Sequence, residues 1–582
     1  MDAAAPPRPT PVALGGDDSA TENPSTTPSR LPPPPRPSVV LPAPVAALLT
    51  AHLGAPAVAS LLISLPTPPP TTLRLHPPTS DGIAAAAAAV LDHLAPAAYR
   101  LEPTHPSMPE VLRLVPPPLP PSPIATASGG RGGNIDGWVL PGAGVRCDGG
   151  DGDGNTSPAA PPPVFLDGRT GEAVLRGAHV YVAGIVGAHP AVRAGEPVTL
   201  VVDADAALCE GARSAAATRV RAGGGKRRPR RDGVAEAPLL PPRLLVVGWG
   251  VAAFSRRELF GPRRPQGGLG VTVRGVVAGT PHAWSGGPDG GGGGTIHWAP
   301  PPPSLHGVLP HQLFLQNLPS ATVTHLLGPS PGDTVVDVTA SPGGKATHVA
   351  ALVGPTGRVV AIDRSPAKVA AVTAAAARLG LYSPPLVAVV GDATTRRGVP
   401  LPDGSADGVL VDPPCSGLGL RPRLRPLGGG SDAAAELAGA AAHQRRFFGP
   451  AVAVLRVGGV LVYSTCTVDP LENEGVVAWA LASFPLALEA PPIQRGRGEG
   501  ASGGRPLTEA TWSAAGLTQR EGNGGGGNGH RSSRCRLTPA DADLCWAWSG
   551  ASDTPGFFAA RFRKVGPWSC PPETEGAAAF DG

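Results

Sequence analysis

The sequence predicts an α/β protein in which a doubly wound parallel sheet follows a small β-barrel. Three observations predict it. After Ile296, short apolar strand-like runs alternate with apolar helical segments, a pattern that requires parallel strands joined by crossovers and places ligands at their carboxyl ends. Ahead of it, four β-rich runs separated by turn residues have the spacing of a barrel. Finally, 80 Gly and 75 Pro exceed a quarter of the 582 residues, so low-complexity tracts interrupt the folded parts.

Taken in order, residues 1–42 are Pro/Ser/Thr-rich and are expected to be disordered. Residues 43–115 carry apolar side chains at helical spacing (Val45, Leu48, Leu49, Leu53) and one short strand-like run, 72–75; a mostly helical N-terminal part of the catalytic region is expected. A Pro/Gly/Asp linker over 116–162 leads to the barrel, 163–278, with its β runs at 173–186, 197–203, 244–251 and 270–277. A Gly-rich linker, 279–298, precedes the main α/β domain, 299–486. Its strands are expected at 334–338, 358–362, 386–390, 407–411 and 458–464, and its helices at 344–353, 366–380 and 445–456. A Gly/Arg/Ser-rich insert, 487–545, separates these from a last strand within 546–566, centred on Phe557–Phe562, and a tail, 567–582.

The formal charge of +4 is too mild to identify a nucleic-acid partner. Seven widely spaced cysteines without a Cys-x-x-Cys pair predict neither a disulfide framework nor a metal site. The longest apolar stretches fall short of a membrane span. Asp2, Asp17, Asp18 and Glu22 argue against a transit peptide, which makes cytoplasm the default. With no exposed apolar stripe to ask for a second subunit, a monomer is the simplest expectation.

The chemistry-bearing residues gather at expected strand ends. The turn Thr339-Ala340-Ser341-Pro342-Gly343-Gly344-Lys345 follows Asp337 and opens a helix, where glycines let backbone approach a ligand. Asp363 ends the next strand, placed to accept from ribose hydroxyls, and Asp392 follows the third, placed to accept from an adenine amino group. Together they predict an adenosyl cofactor; a helix cap is the plain alternative for each acid, and Asp337 is the most structural of them. Lys345 is within reach of a cofactor carboxylate or a substrate phosphate, a solvated first-turn lysine being the alternative. Beyond two further strands lie Cys415, in Val-Asp-Pro-Pro-Cys-Ser-Gly (411–417), and Cys466, in Val-Tyr-Ser-Thr-Cys-Thr (462–467). A buried cysteine is usually inert. A pair at ligand-binding strand ends is better read as catalytic, because C5 of cytosine accepts a methyl group only after a nucleophile adds at C6, and a thiolate serves. The base must leave its stack. Asp412, protonated by burial, is placed to donate at N3. Spacing leaves open which thiol attacks.

Segments 335–345, 361–363, 391–393, 411–421 and 460–475 together resemble the Nop/Sun family of RNA cytosine-5 methyltransferases. The resemblance implies a Rossmann-like class I methyltransferase sheet, S-adenosyl-L-methionine as cofactor held by residues 339–345, Asp363, Asp392 and Asp412, Cys466 as the thiol that attacks C6, and Cys415 as the thiol that assists release. Residues 173–181, 315–320 and 556–562 are similar to the branch of that family with a PUA domain ahead of the catalytic sheet. That implies tRNA as partner, with methylation of cytosine 72 in the acceptor stem and the PUA domain holding the CCA end, with Arg176 and Tyr181 as RNA contacts. An rRNA methyltransferase and a non-catalytic RNA-binding protein with the same fold are the alternatives. The chain departs from the family at Thr339, where the family has Cys, and at Glu210, which would repel phosphate. The basic run Lys226–Arg231 is read first as a solvated insert.

Overall fold

The computed structural model describes residues 41, 43–117, 161–203, 244–277, 282–283, 298–299, 301–305, 307–424, 433–490, 492–493, 544–548 and 554–571. The expectations for residues 1–40, the linker 118–160, Glu210, the run 226–231 and most of 487–545 fall outside them. The N-terminal part begins with helices α1 (Ala43–Leu53) and α2 (Ala55–Ser64), continues through β1 (Thr72–Leu75) and α3 (Ser80–Leu94), and ends in β2 (Arg100–Pro103) and β3 (Val111–Val115). Helices hold most of its ordered residues, as expected, and the short strands add a sheet that the sequence showed only at 72–75. The three strands and the distant segment Leu313–Leu315 form an antiparallel sheet, with β1 between β3 and Leu313–Leu315. Runs of four or five residues are too short to show a period, and a partner two hundred residues away gives no local signal.

The second body is a curled sheet. Its elements are β4 (Pro163–Leu166), α4 (Gly168–Leu175), β5 (Val180–Tyr181), β6 (Ile185–Ala188), β7 (Pro197–Asp203), β8 (Leu244–Ala252), α5 (Arg256–Phe260), β9 (Leu269–Val277), β10 (His282–Ala283) and β11 (Trp298–Ala299). Strands β9, β8, β7 and β4 lie side by side, and the stretch 180–188 pairs with β9 through β5 and with β4 through β6, closing the sheet on itself. The β run expected at 173–186 is divided. Asp167 accepts from the Thr170 amide at 2.8 Å and so starts a helix through Leu175, leaving only 180–181 and 185–188 extended. Val164, Leu166, Val174, Leu200, Val247 and Val271 fill the interior together with Leu424, which comes from the catalytic domain.

After β12 (Leu313–Leu315) and α6 (Leu318–Leu327) the third body begins. Strands β13 (Thr334–Asp337), β14 (Arg358–Asp363), β15 (Leu386–Val390), β16 (Ala406–Val411) and β17 (Leu455–Thr465) are parallel, in the order β15-β14-β13-β16-β17. Between them run α7 (Gly344–Val353), α8 (Pro366–Arg378), α9 (Ala433–Arg445) and α10 (Phe448–Val454), and α11 (Glu474–Ser483) follows β17. The sheet is completed by β18 (Leu486–Leu488), β19 (Trp546–Trp548) and β20 (Phe557–Lys564). The last returns antiparallel between β17 and β18. The helix expected at 445–456 instead breaks after Arg445. Pro450 fits only the first turn of a helix, so a new one starts at Phe448, and Leu455 already pairs with Ala406 in the sheet.

Alternate residues divide between the faces. Val335, Val359, Ala361, Leu410 and Val462 pack with α6, α7 and α8, whereas Val336, Val360, Ile362, Val409, Val411, Leu461 and Tyr463 pack with α10 and α11. Phe448 sits at the centre of the second layer, fully buried among the rings of Tyr463, Trp479, Phe484 and Phe562. Phe448→Ala is expected to lower stability by about 3–5 kcal/mol, read as a lower urea midpoint with an unchanged slope.

Candidate active site

The parallel register carries the glycine turn and both thiol loops to one edge of the sheet. Asp337, the last residue of β13, is 1% exposed, and its Oδ1 accepts from the Thr339 amide at 3.2 Å. Burial, with Asp412 and Asp363 adding negative charge, pushes its carboxyl up to about 7 against the opposing pull of the Thr339 amide and Lys345. Gly343 stands at φ +105°, a conformation that suits glycine, and its carbonyl accepts from the Thr347 amide and hydroxyl as α7 begins. Thr339 Oγ1 accepts from the Asp412 amide at 3.2 Å. The residue that departs from the family thus ties the glycine turn to the Pro-Cys loop.

Asp363 lies at the end of β14, where one oxygen accepts from the Ser365 amide at 3.1 Å. Asp392 lies just past β15. Burial would raise it, but the hydroxyl and amide of Thr394, with Arg364 and Arg446, hold it below the usual carboxylate range. Neither acid is the N-cap of a helix, the plain alternative for each; each accepts from the amide two residues on and stands at the ligand edge. A glycine turn and two carboxylates on the next strand ends fit an adenosyl cofactor, which residues 339–345 and Asp363 would hold.

Lys345 is not a solvated lysine. Its side chain is 11% exposed, donates to Asp412 Oδ2 at 2.6 Å and lies 5.5 Å from the centre of the Phe557 ring. Asp412 Oδ1 accepts from the Ser464 hydroxyl at 2.8 Å. Both carboxylate oxygens act as acceptors here, and the positive charge at this point belongs to Lys345, which Asp412 holds.

The two thiols meet. Cys415 Sγ and Cys466 Sγ are 3.3 Å apart although the residues come from different loops. The thiol of Cys466, then burial, then the charge of Glu472 push Cys415 up, so it keeps its proton. The hydrogen bond shared with Cys415, helped by the charge of Lys345, outweighs burial and Asp412 and brings Cys466 below the usual thiol value. Of the two, Cys415 therefore holds its proton the more tightly and Cys466 is the more easily ionised. A cleft of about 350 Å³ lined by Val45, Pro414, Cys415, Leu418, Leu437 and His443 opens beside Cys415; Cys466 does not line it.

Sequence reasoning did not find the supporting groups Ser464, Gln444 and Tyr463, or the grouping of Glu110, His325 and His348, because no spacing signals them. Glu110 Oε1 accepts from His325 Nε2 at 2.6 Å and from His348 Nε2 at 2.9 Å, and the three offer ligand-type atoms within 4.8 Å of one another. Burial and then the Arg74 charge push His348 down to about 3. A neighbouring guanidinium makes this a poor cation site, and the cluster ties the N-terminal sheet to α6 and α7.

Arg176 caps α4, and Tyr181 is 63% exposed on β5; both lie on the barrel surface. The barrel is joined to the thiol region through the Pro-Cys loop's continuation. Glu172 accepts from the Leu424 amide at 2.9 Å while the Leu424 side chain enters the barrel core.

The strand order, with an antiparallel β20 beside β17, and a thiol pair at the ligand edge define a class I methyltransferase fold with a two-cysteine centre. Residues 324–501 match the family model of the 16S rRNA methyltransferase RsmB/F. The tRNA (cytosine(72)-C(5))-methyltransferase NSUN6 of Homo sapiens is 35% identical over 350 residues, covering 58% of this chain and 63% of that protein, so the chain spans less than two thirds of that relative's length. The rRNA (cytosine-C(5))-methyltransferase NOP2C of Arabidopsis thaliana is 28% identical over 70% of this chain and 74% of its own. A crystal structure of NSun6 from Pyrococcus horikoshii with SFG, an S-adenosylmethionine analogue, aligns with a TM-score of 0.57 at 22% identity, over 90% of this chain and 99% of that one, which establishes the fold. The resemblance to the Nop/Sun family is borne out, and S-adenosylmethionine is the cofactor of this domain class.

The raised carboxyl of Asp337 has a measurable consequence. Between about pH 4 and pH 7 the folded protein retains a proton that the unfolded chain releases, so this group's contribution to stability falls as pH rises through that window. Asp337→Asn should flatten that part of the stability profile and raise the urea midpoint above pH 7, in titrations run at pH 5, 6, 7 and 8.

Proposed function

We propose that this protein is an S-adenosylmethionine-dependent RNA cytosine-5 methyltransferase that forms 5-methylcytosine in tRNA, at cytosine 72 beside the CCA end. The observation that carries the chemistry is the thiol pair, 3.3 Å apart at the carboxyl edge of a methyltransferase sheet, with Lys345 acting on Cys466. In this reading Cys466 adds as a thiolate to C6 of a cytosine out of its stack, forming an S–C6 bond and moving electron density onto C5. The bound cofactor supplies an electrophilic sulfonium methyl. Lys345, fixed by Asp412, offsets negative charge that develops at the edge of the ring. Loss of the C5 proton to a base then breaks the S–C6 bond and returns Cys466 as thiolate, with Cys415 assisting that release.

The substrate proposal rests on the similarity to NSUN6 and on the barrel, which we take as PUA-like. Tyr181 offers an exposed aromatic face for a base, Arg176 a charge for phosphate, and Leu424 fastens the barrel to the segment that follows Cys415. A monomer in the cytoplasm is part of the same proposal. Methylation of rRNA is the second reading, favoured by the greater coverage of the NOP2C match.

Methyl transfer from labelled S-adenosylmethionine to tRNA, to tRNA lacking CCA and to rRNA separates these readings. The wild-type protein should label intact tRNA and lose most of that activity without CCA. Cys466→Ala should be inactive, and Cys415→Ala should accumulate a denaturant-resistant protein–RNA adduct. Label on rRNA alone would move the substrate to the second reading, and absence of transfer to any RNA would remove the enzymatic one. Tyr181→Ala should raise KM for tRNA roughly tenfold with kcat preserved, since stacking on one aromatic is worth about 1–3 kcal/mol.

A further inference from the structure

Two adjacent residues that the mechanism above does not use reach both thiol loops. Glu472 is wholly buried, and its Oε2 accepts from the amide of Ser416, next to Cys415, at 3.0 Å. The same oxygen accepts from Gln444 Nε2 at 2.6 Å, and Gln444 Nε2 also lies 3.2 Å from the carbonyl of Pro414, on the other side of Cys415. Tyr463 OH donates to Gln444 Oε1 at 2.9 Å and thereby fixes its orientation. Both residues flanking Cys415 are thus held by one buried unit. Asn473 does the same for Cys466: its Oδ1 accepts from the Thr465 hydroxyl, and its Nδ2 donates to the Thr467 carbonyl at 3.2 Å. A third contact joins the loops, Ser416 Oγ to Thr467 Oγ1 at 2.7 Å.

We propose that Glu472 and Asn473 are a pair of positioning residues that clamp the loops of Cys415 and Cys466 respectively, so that consecutive backbone positions set the separation and the distinct roles of the two thiols. The pairing of the two parent strands and the Ser416–Thr467 contact bring the loops together, and neighbouring residues on one stretch ahead of α11 add a fixed offset between them. The clamp also sorts charge. The Glu472 carboxylate bears on Cys415 and disfavours a thiolate there, while Lys345 bears on Cys466 and favours one. The buried Glu472 Oε1 has no hydrogen-bond partner, a desolvation cost retained beside Cys415 in a core position that an apolar residue would fill more cheaply.

This inference deepens the methyltransferase reading, and its test has one arm that needs no RNA. Iodoacetamide alkylation of the two cysteines, resolved by peptide mass spectrometry at pH 7.5, should be at least about tenfold faster at Cys466 than at Cys415 in the wild-type protein. Glu472→Ala and Asn473→Ala should each shrink that ratio severalfold, and Glu472→Gln, which keeps an acceptor for Ser416 and Gln444 but loses the charge, should speed Cys415 alone. With RNA, Glu472→Ala should accumulate the covalent adduct as release slows, and Glu472→Gln should restore turnover in large part. Asn473→Ala should instead form adduct slowly, with KM for RNA within about threefold. Should the alanine variants fail to fold, Thr465→Val, which removes only the hydroxyl bound by Asn473, must still slow alkylation of Cys466. An unchanged alkylation ratio in folded variants, or equal loss of both steps in both, overturns the positioning role. Intact alkylation selectivity without any RNA adduct would instead count against the methyltransferase reading and leave the clamp standing.

Discussion

The structure depends on the parallel register of β13 to β17. Hydrogen bonding sets Asp337 beside Ala361 and Leu410, and Val411 beside Tyr463, so neighbouring strands end level and every connection leaves from the same edge. Side chains that follow those ends, Lys345, Asp363, Asp392, Asp412, Cys415 and Cys466, collect there although they come from five separate strand ends. Alternation of apolar residues across the sheet buries both faces beneath helices, which makes the edge the place where backbone polar groups are left to meet a ligand.

The edge is held by charge buried in a controlled way. Lys345 is placed between Asp412 and the Phe557 ring, Asp412 is fixed by Ser464, and Thr339 fixes the Asp412 backbone. One lysine therefore links the cofactor turn to the thiols. The chain just beyond Cys415 extends this linkage outward. Leu418 packs with α1 and α2, Arg421 donates to the carbonyls of Ser64, Thr67 and Thr554, and Leu424 enters the barrel. Gly419 and Gly556 meet at a distance that a side chain on Gly419 would abolish, since its Cβ would lie 2.0 Å from the Gly556 carbonyl oxygen. Residues 411–424 thus connect all three bodies to the catalytic edge.

Much of this was legible in the sequence for a physical reason. The strand 386–390 and the helix 344–353 lie where apolar periodicity put them, and the thiols and acids stood at the ends of such runs. What was not legible depends on contacts distant in sequence. The N-terminal sheet needs Leu313–Leu315, the helix 168–175 depends on a single cap at Asp167, and Asp412 reads as a buried acid until Lys345 is seen beside it. Glu472 and Asn473 lie within the segment 460–475 that carries the family resemblance, but their contacts reach Ser416, Gln444, Thr465 and Thr467, which only the folded chain brings together.

The central claim is that Cys466, and not Cys415, bonds to the base. An acceptor-stem RNA bearing 5-fluorocytosine at the target position, incubated with S-adenosylmethionine and the wild-type protein, tests it directly, because the fluorine on C5 cannot leave as a cation and elimination stops after addition. Proteolysis and mass spectrometry should find the nucleotide, carrying an added methyl group, on the peptide that contains Cys466. The same adduct on the Cys415 peptide, or a turnover-competent complex with no covalent bond, would contradict the account.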